Sequence, residues 1–255
     1  MPAASQSLRA RKLHRAEATS SVQPIAKRTA NAPERALDYP DRGVPPMTSV
    51  HLQAILNAIP SLRSHYTHRD DVYVGGELTM YWLEGDNQWW VLPDVFVAFG
   101  PHPGERDVWK AWEEGKFADF VLEVASKGTH RRDQTEKHAI YESLGVEEYW
   151  QHDPTGKYLP PRLLGHRLNK AGVYEPVPSQ TKPDGTVYRE SKVLSLHLCL
   201  DREGCLRLYD PATGEFLATN EEKDDLLAEE RRRHAEERRA LLAEIAALKR
   251  RQADR

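Results

Sequence analysis

The pattern of hydrophobic and polar residues predicts an ordered domain that begins near Met47 with a helix. In the segment SVHLQAILNAIP, Thr48 or Ser49 can cap the helix, and Pro60 lies close to its predicted end. The predicted apolar face consists of Leu52, Ile55, Leu56 and Ile59. Apolar residues with this helical spacing indicate that one side of the helix packs on a core.

Strand-like segments and a second helix follow. Short β-branched and aromatic runs flank GDNQ, a good turn sequence, and therefore predict a hairpin. The segment FADFVLEVAS is apolar almost throughout, as expected for a central strand that is covered on both faces. A helix is predicted from about Thr129 to Leu144, ended by Gly145, and EEYWQHDP predicts a further strand. This order predicts an α/β fold, in which helices flank a mixed sheet and the second helix crosses its face.

The composition along the chain predicts three segments. Residues 1–37 are rich in Ala, Ser, Arg and Pro and predict a disordered basic arm, although a transit peptide has a similar composition. Residues 38–215 predict one domain, because the strand-like segments after Pro160 show no second independent core. We expect these later strands to extend or flank the first sheet. Residues 220–255 predict a charged helical or coiled-coil tail.

Apolar residues recur in this tail with the spacing of core positions in a coiled coil. The seam consists of Leu227, His234, Leu241, Ile245 and Leu248. A short coiled coil and a solvated helix both fit this pattern. A homo-oligomer formed through the C-terminal helix is therefore possible. The seam is too short to predict the number of subunits.

The overall composition narrows the class of protein. The chain has 255 residues, of which 39% are hydrophobic and 29% charged, and it contains no apolar run of the roughly 20 residues that span a bilayer. The N-terminus lacks the apolar region of a secretory signal, and two cysteines do not make a disulfide framework. We therefore expect a cytoplasmic protein without a membrane partner. A net charge of -3 argues against a general DNA-coating protein, but it is compatible with a nuclease.

Two acidic residues interrupt otherwise apolar strands. Asp94 lies in WWVLPDVFVAF and Glu123 lies in DFVLEVAS. A carboxylate inside a buried strand is costly unless it is paired, protonated or bound to a metal. Two such carboxylates at the ends of neighbouring strands predict a metal site for Mg²⁺ or Mn²⁺. The alternative is that Asp94 caps a turn after Pro93 and that Glu123 forms an ion pair with an arginine.

Cleavage of a phosphodiester at such a site also requires a cationic group. Its commonest position is two residues after the glutamate, where this chain has Ala125. Lys137 lies one helical turn after Asp133, on a helix face that can point over the strand ends, and it is the preferred catalytic lysine. Lys127 has the same strand parity as Glu123 and is the second candidate. The plain alternatives are an exposed ion pair for Lys137 and a loop position for Lys127.

Other polar residues give weaker signals. Glu77 precedes Asp94 and is either an additional acidic ligand or, preferably, a solvent-facing strand residue. The eleven histidines show no clear metal-binding spacing and are interpreted as surface or hydrogen-bonded residues.

Five short motifs together resemble the Uma-two family of restriction endonucleases, a branch of the PD-(D/E)XK superfamily. They are Pro93-Asp94, Glu123 to Ser126, Asp133/Lys137/Tyr141, Gly145 to Trp150 and Asp153-Pro154. The resemblance covers residues 40–210. It implies a restriction-endonuclease-like fold and divalent-metal-dependent cleavage of DNA, with Asp94 and Glu123 binding Mg²⁺. Since Ala125 departs from the usual pattern, a catalytically inactive nucleic-acid-binding or adaptor protein that keeps the fold is the second interpretation.

Overall fold

The computed structural model of the protein describes residues 37–43 and 47–253. The predicted basic arm, residues 1–37, lies outside the described residues except for Leu37. The chain consists of two compact units, the first ending at Leu217 and the second beginning at Ala218. The first unit carries both predicted acidic residues, so the fold described next is the one that positions the site.

A six-stranded sheet forms the centre of the first unit. In spatial order its strands are β1 (Val72–Gly75), β4 (Val95–Phe99), β6 (Phe120–Val124), β7 (Glu148–His152), β8 (Leu163–Leu168) and β9 (Tyr174–Pro176). Strands β6 and β7 are parallel, and the other neighbours are antiparallel. This confirms the predicted mixed sheet. Every residue of β6 is buried, as expected for its central position.

The predicted hairpin is present but small. Strands β2 (Met80–Tyr81) and β3 (Trp90–Val91) form an antiparallel pair around the GDNQ turn, and β5 (Trp109–Lys110) pairs in parallel with β2. The apolar runs on either side, β1 and β4, instead pair with each other in the large sheet. A one-turn helix, α2 (Ala111–Glu114), follows β5 directly.

The first helix, α1 (Ser49–His65), differs from its prediction in both its end and its buried face. Thr48 caps it by accepting a hydrogen bond from the His51 amide, but Pro60 lies inside the helix rather than at its end. The buried residues are His51, Ile55, Ala58, Ser61 and Leu62. Leu52 and Leu56 are instead 42% and 44% exposed. The packing of residues such as Leu62 against the sheet outweighs the cost of an interior proline.

The helical connection between β6 and β7 is present where it was predicted. It consists of α3 (His130–Arg132), a π-helical turn (Asp133–Lys137) and α4 (His138–Ser143). Gly145 follows with a φ of 75°, a left-handed conformation that glycine adopts without strain. The wider π-helical turn could not be anticipated from the apolar periodicity.

The strands after Pro160 extend the first sheet or lie beside it, as expected. Strands β8 and β9 do extend the first sheet, but the remaining strands form a separate antiparallel sheet. Its strands are β10 (Gln180–Thr181), β11 (Val187–Ser191), β12 (Leu196–Leu200), β13 (Leu206–Asp210) and β14 (Glu215–Phe216). Leu196, Leu198 and Leu208 pack in the same hydrophobic core as α1 and the large sheet. The second sheet therefore shares a core with the first.

The large sheet separates two hydrophobic cores. One core contains α1 residues together with Phe120, Leu122 and Val124 of β6. The other contains Val121 of β6, Phe96 of β4 and, from α4, Tyr141. Because side chains alternate across a strand, β1, β4, β6 and β7 each contribute to both cores.

The second unit contains one long helix, α5 (Asn220–Ala253), as the sequence predicts. Among the described residues, no helix combines the length and the apolar character needed to cross a membrane.

Candidate active site

Strand register brings Asp94 and Glu123 together. Strands β4 and β6 pair Val95 with Leu122, so the same antiparallel register places Asp94 opposite Glu123. The backbone N–H of Val124 donates a hydrogen bond of 2.6 Å to Oδ2 of Asp94. Residue parity puts Glu123 on the sheet face of Val121, the face that α4 covers. The two residues predicted from the interrupted apolar strands therefore lie side by side.

Both oxygens of the Glu123 carboxylate have partners. The Lys137 amino group lies 2.6 Å from Oε2, and the Tyr141 hydroxyl donates a hydrogen bond of 2.7 Å to Oε1. The side chain of Glu123 is 1% exposed. Burial raises the pKa of Glu123 well above its ordinary value, while the charge of Lys137 opposes this shift. The lysine and the tyrosine thus fix the orientation of a carboxylate that would otherwise be costly to bury.

Lys137 is the lysine that the structure brings to the site. Its amino group also donates to the carbonyl of Leu92 at 3.0 Å and lies 3.5 Å from Oδ1 of Asp133. Burial lowers the pKa of Lys137, but the carboxylates of Glu123, Asp94 and Asp133 raise it above its ordinary value. The amino group is therefore a charged donor at neutral pH.

The two other positions considered for the lysine differ from Lys137. Lys127 is exposed in the loop that follows β6, as its plain alternative predicted. Ala125, at the commonest position of the lysine, is buried. The π-helical turn instead carries Lys137 to the strand and keeps Asp133 beside it, one turn earlier.

Two further polar residues lie on the other side of Asp94. Nε2 of His51 is 3.3 Å from Oδ2 of Asp94. One ligand atom from each of His51, Glu77 and Asp94 lies within 4.8 Å of the other two. The sequence favoured a strand position for Glu77, but the residue lies in the turn after β1, with a φ of 53°. Its N–H donates a hydrogen bond of 2.9 Å to the Pro93 carbonyl, which ties this turn to the segment before Asp94.

The pKa values of His51, Glu77 and Asp94 depend on one another. Burial, together with the charge of Asp94, raises the pKa of Glu77 to about 7. Burial raises the pKa of Asp94, but the hydrogen bond from His51 and the charge of Lys137 outweigh this and lower it. Burial lowers the pKa of His51, but Asp94 raises it overall. Asp94 is therefore the carboxylate of these three residues whose ionised form is favoured.

The donor set fits a divalent cation. Oε2 of Glu77 is buried and has no hydrogen-bond partner within the described part of the chain. A buried carboxylate oxygen without a partner, close to a second carboxylate, is unfavourable unless the carboxyl is protonated or a cation neutralises it. Carboxylate oxygens are the preferred ligands of hard cations such as Mg²⁺ and Mn²⁺, and an imidazole is acceptable to Mn²⁺.

His51 was missed in the sequence because its helix face was assigned incorrectly. With the correct face, His51 lies one turn before Ile55 on the buried side of α1. A histidine on an apolar helix face is the signal that would have pointed to it. Glu77 was considered as an additional acidic ligand, but a solvent-facing strand position was preferred, because its proximity to Asp94 depends on a turn with left-handed backbone.

The chain matches a family model and is similar to a solved structure. The family model Uma2, described as "Putative restriction endonuclease", matches residues 32–201. A crystal structure of a putative nuclease belonging to DUF820 from Anabaena variabilis is similar, with 16% sequence identity and a TM-score of 0.43. The similarity covers 61% of this chain and 80% of that chain. No curated protein matches the sequence. Since the family model spans most of the chain, the protein belongs to the Uma2 family of restriction-endonuclease-like proteins.

Proposed function

We propose that the protein is a divalent-metal-dependent endonuclease that hydrolyses phosphodiester bonds in DNA. The observation that carries this proposal is the buried Glu123, held by Lys137 at 2.6 Å and by Tyr141 at 2.7 Å next to Asp94. A purely structural ion pair would not require a cluster of further carboxylates beside it. Nucleases, in contrast, need both an acidic metal site and a cationic group at the same place.

Asp94 and Glu123 are the proposed Mg²⁺ ligands, and Glu77 is a third acidic ligand. The hydrogen bonds of Glu123 do not prevent this role, because each carboxylate oxygen has two acceptor positions. His51 and the Val124 amide fix the orientation of Asp94, as outer partners of metal ligands commonly do. Mg²⁺ or Mn²⁺ bound here supplies a Lewis acid for the phosphate and lowers the pKa of a water molecule.

The lysine has the proposed role of a charged donor and not of a base. Because its pKa is raised, Lys137 keeps its proton at neutral pH and can stabilise negative charge that develops on a phosphate. Tyr141 and Asp133 hold no substrate in this proposal; they position Glu123 and Lys137.

Cleavage assays with purified variants test the proposal. We expect Mg²⁺-dependent conversion of plasmid DNA by the parent protein, and a loss of at least about 100-fold in Asp94→Asn, Glu123→Gln and Lys137→Met. Lys127→Met is the matched control, because Lys127 is exposed, and it should cleave like the parent. Circular dichroism excludes unfolding as the cause of the loss. Unchanged cleavage by Asp94→Asn and Glu123→Gln would contradict the site.

A nucleic-acid-binding protein without catalysis is the second candidate function. The observation in its favour is that both oxygens of Glu123 are already hydrogen-bonded within the protein. Calorimetric titration with Mn²⁺ separates the two functions. Uptake of Mn²⁺ that disappears in Asp94→Asn supports the nuclease, whereas DNA binding without any Asp94-dependent uptake of Mn²⁺ supports the second candidate.

A further inference from the structure

Helix α5 exposes large apolar side chains at coiled-coil spacing. Leu227, Leu241 and Ile245 are 48%, 58% and 40% exposed. Exposed aliphatic side chains that recur along one helix face are typical of a helix that packs against another helix. A helix of 34 residues is also long enough for more than four heptads.

A single heptad register accommodates this face. Position d is occupied by Leu227, His234 and Leu241. Position a is occupied by Asp224, Arg231, Arg238 and Ile245. Position g, which flanks the seam, is occupied by Glu230 and Glu237. Between Leu227 and Ile245 the seam is therefore apolar at its ends and cationic in the middle, with an acidic residue directly before each seam arginine.

The two seam arginines have no acidic residue in reach on their own helix. The residues three or four positions from Arg231 are Leu227, Ala228, His234 and Ala235. Those around Arg238 are His234, Ala235, Leu241 and Leu242. Arg232, in contrast, lies outside the seam and is 3.6 Å from Glu229. The seam arginines thus lack the intrahelical pairing that stabilises solvated charged helices.

We propose that α5 forms a parallel two-stranded coiled coil with a second copy of this chain. In a parallel pair, a g residue lies beside the next a residue of the other helix, so Glu230 meets Arg231 of the partner subunit. Glu237 meets Arg238 of the partner subunit in the same way. An antiparallel pair would place g residues against each other, glutamate against glutamate. Ile at position a with Leu at position d also favours two strands.

Molar mass in solution tests the seam in the full chain. Light scattering at micromolar concentration should give twice the chain mass of 29.1 kDa. Leu241→Glu/Ile245→Glu should reduce the mass to that of one chain, and it preserves helix propensity because glutamate is a good helix former. Leu226→Glu is the matched control, since Leu226 is 63% exposed but occupies position c, away from the seam. A single-chain mass for the parent, or equal masses for both variants, would overturn the proposal.

Charge reversal tests the pairing and the parallel orientation. Arg231→Glu/Arg238→Glu makes both positions acidic, and Glu230→Arg/Glu237→Arg makes both basic. Each variant alone should give the mass of one chain, because every cross-helix pair is then repulsive. An equimolar mixture should restore the mass of two chains. If the mixture stays at the mass of one chain, the proposed pairs do not form. This measurement requires no cleavage, so it is independent of the proposed nuclease activity.

Discussion

The Lys137 amino group lies 2.6 Å from Oε2 of Glu123, and the two side chains are 8% and 1% exposed. This ion pair joins the π-helical turn to the central strand of the sheet. A buried pair of this kind contributes little net stability compared with apolar residues, but removal of one partner leaves the other charge buried and uncompensated. The pair is therefore the point at which site chemistry and fold stability are most closely connected.

Lys137→Met should destabilise the protein by about 3–5 kcal/mol, because the Glu123 carboxylate then loses its cationic partner. The double variant Lys137→Met/Glu123→Gln should recover part of this loss, because the Glu123 charge is removed together with its partner, although Asp133 still lacks the lysine that lies 3.5 Å from it. Chemical denaturation measures both free energies of unfolding. Equal free energies of unfolding for the single and the double variant would show that Lys137 and Glu123 do not stabilise each other, despite the short distance between them.

Tyr141→Phe should destabilise the protein by about 1–3 kcal/mol, because it removes the donor to Oε1 of Glu123 and leaves a buried acceptor unsatisfied. Tyr188→Phe is the control, since Tyr188 donates to Gln180 at an exposed position. Thermal and chemical unfolding of both variants should show a clear loss only for Tyr141→Phe. A similar small effect of both substitutions would mean that water replaces the tyrosine at Glu123.

Gly76→Ala should disturb the segment that carries Asp94. A Cβ atom at position 76 would lie 2.0 Å from the carbonyl oxygen of Asp94 and 2.7 Å from Cδ1 of Ile59. The backbone next to Asp94 must therefore move, and we expect a loss of about 1–3 kcal/mol together with weaker binding of Mn²⁺.

Gly104→Ala is the matched control for this substitution. The nearest atom to its added Cβ would be Nη1 of Arg106 at 3.9 Å, so its stability should stay within about 0.5 kcal/mol of the parent. Calorimetry measures the binding of Mn²⁺, and chemical denaturation measures the free energy of unfolding. Parent-like metal binding by Gly76→Ala would contradict the idea that this close backbone contact positions Asp94.

The mixed sheet and the pairing of its two acidic residues could be predicted from the sequence. An apolar strand with one carboxylate has few explanations, and the alternation of side chains fixes the face on which Glu123 lies. The helical segment that carries Lys137 was also predicted, together with its end at Gly145. These features depend on local patterns, which a single sequence contains.

The remaining features depend on tertiary contacts. The face of α1 that carries His51 follows from the position of the sheet, and the spacing of Leu52 and Leu56 suggested a different face. The separate sheet formed by β10 to β14 follows from how strands pair over long distances, which residue patterns do not encode. The position of Glu77 beside Asp94 requires a left-handed residue in a turn, which is rare for glutamate.

His152 should make the stability of the protein depend on pH between about 6.5 and 4. It is fully buried on β7, and burial lowers its pKa from 6.5 to about 4. As the pH falls below 6.5, the unfolded chain binds a proton that the folded protein does not. The contribution of His152 to the free energy of unfolding is therefore complete above pH 6.5, decreases down to about pH 4 and falls by about 3 kcal/mol in total.

His152→Gln should lack this part of the pH dependence, whereas His102→Gln, at an exposed position, should retain it. Urea denaturation from pH 4 to 7 measures the difference, and parallel stability curves for the parent and His152→Gln would contradict the assignment.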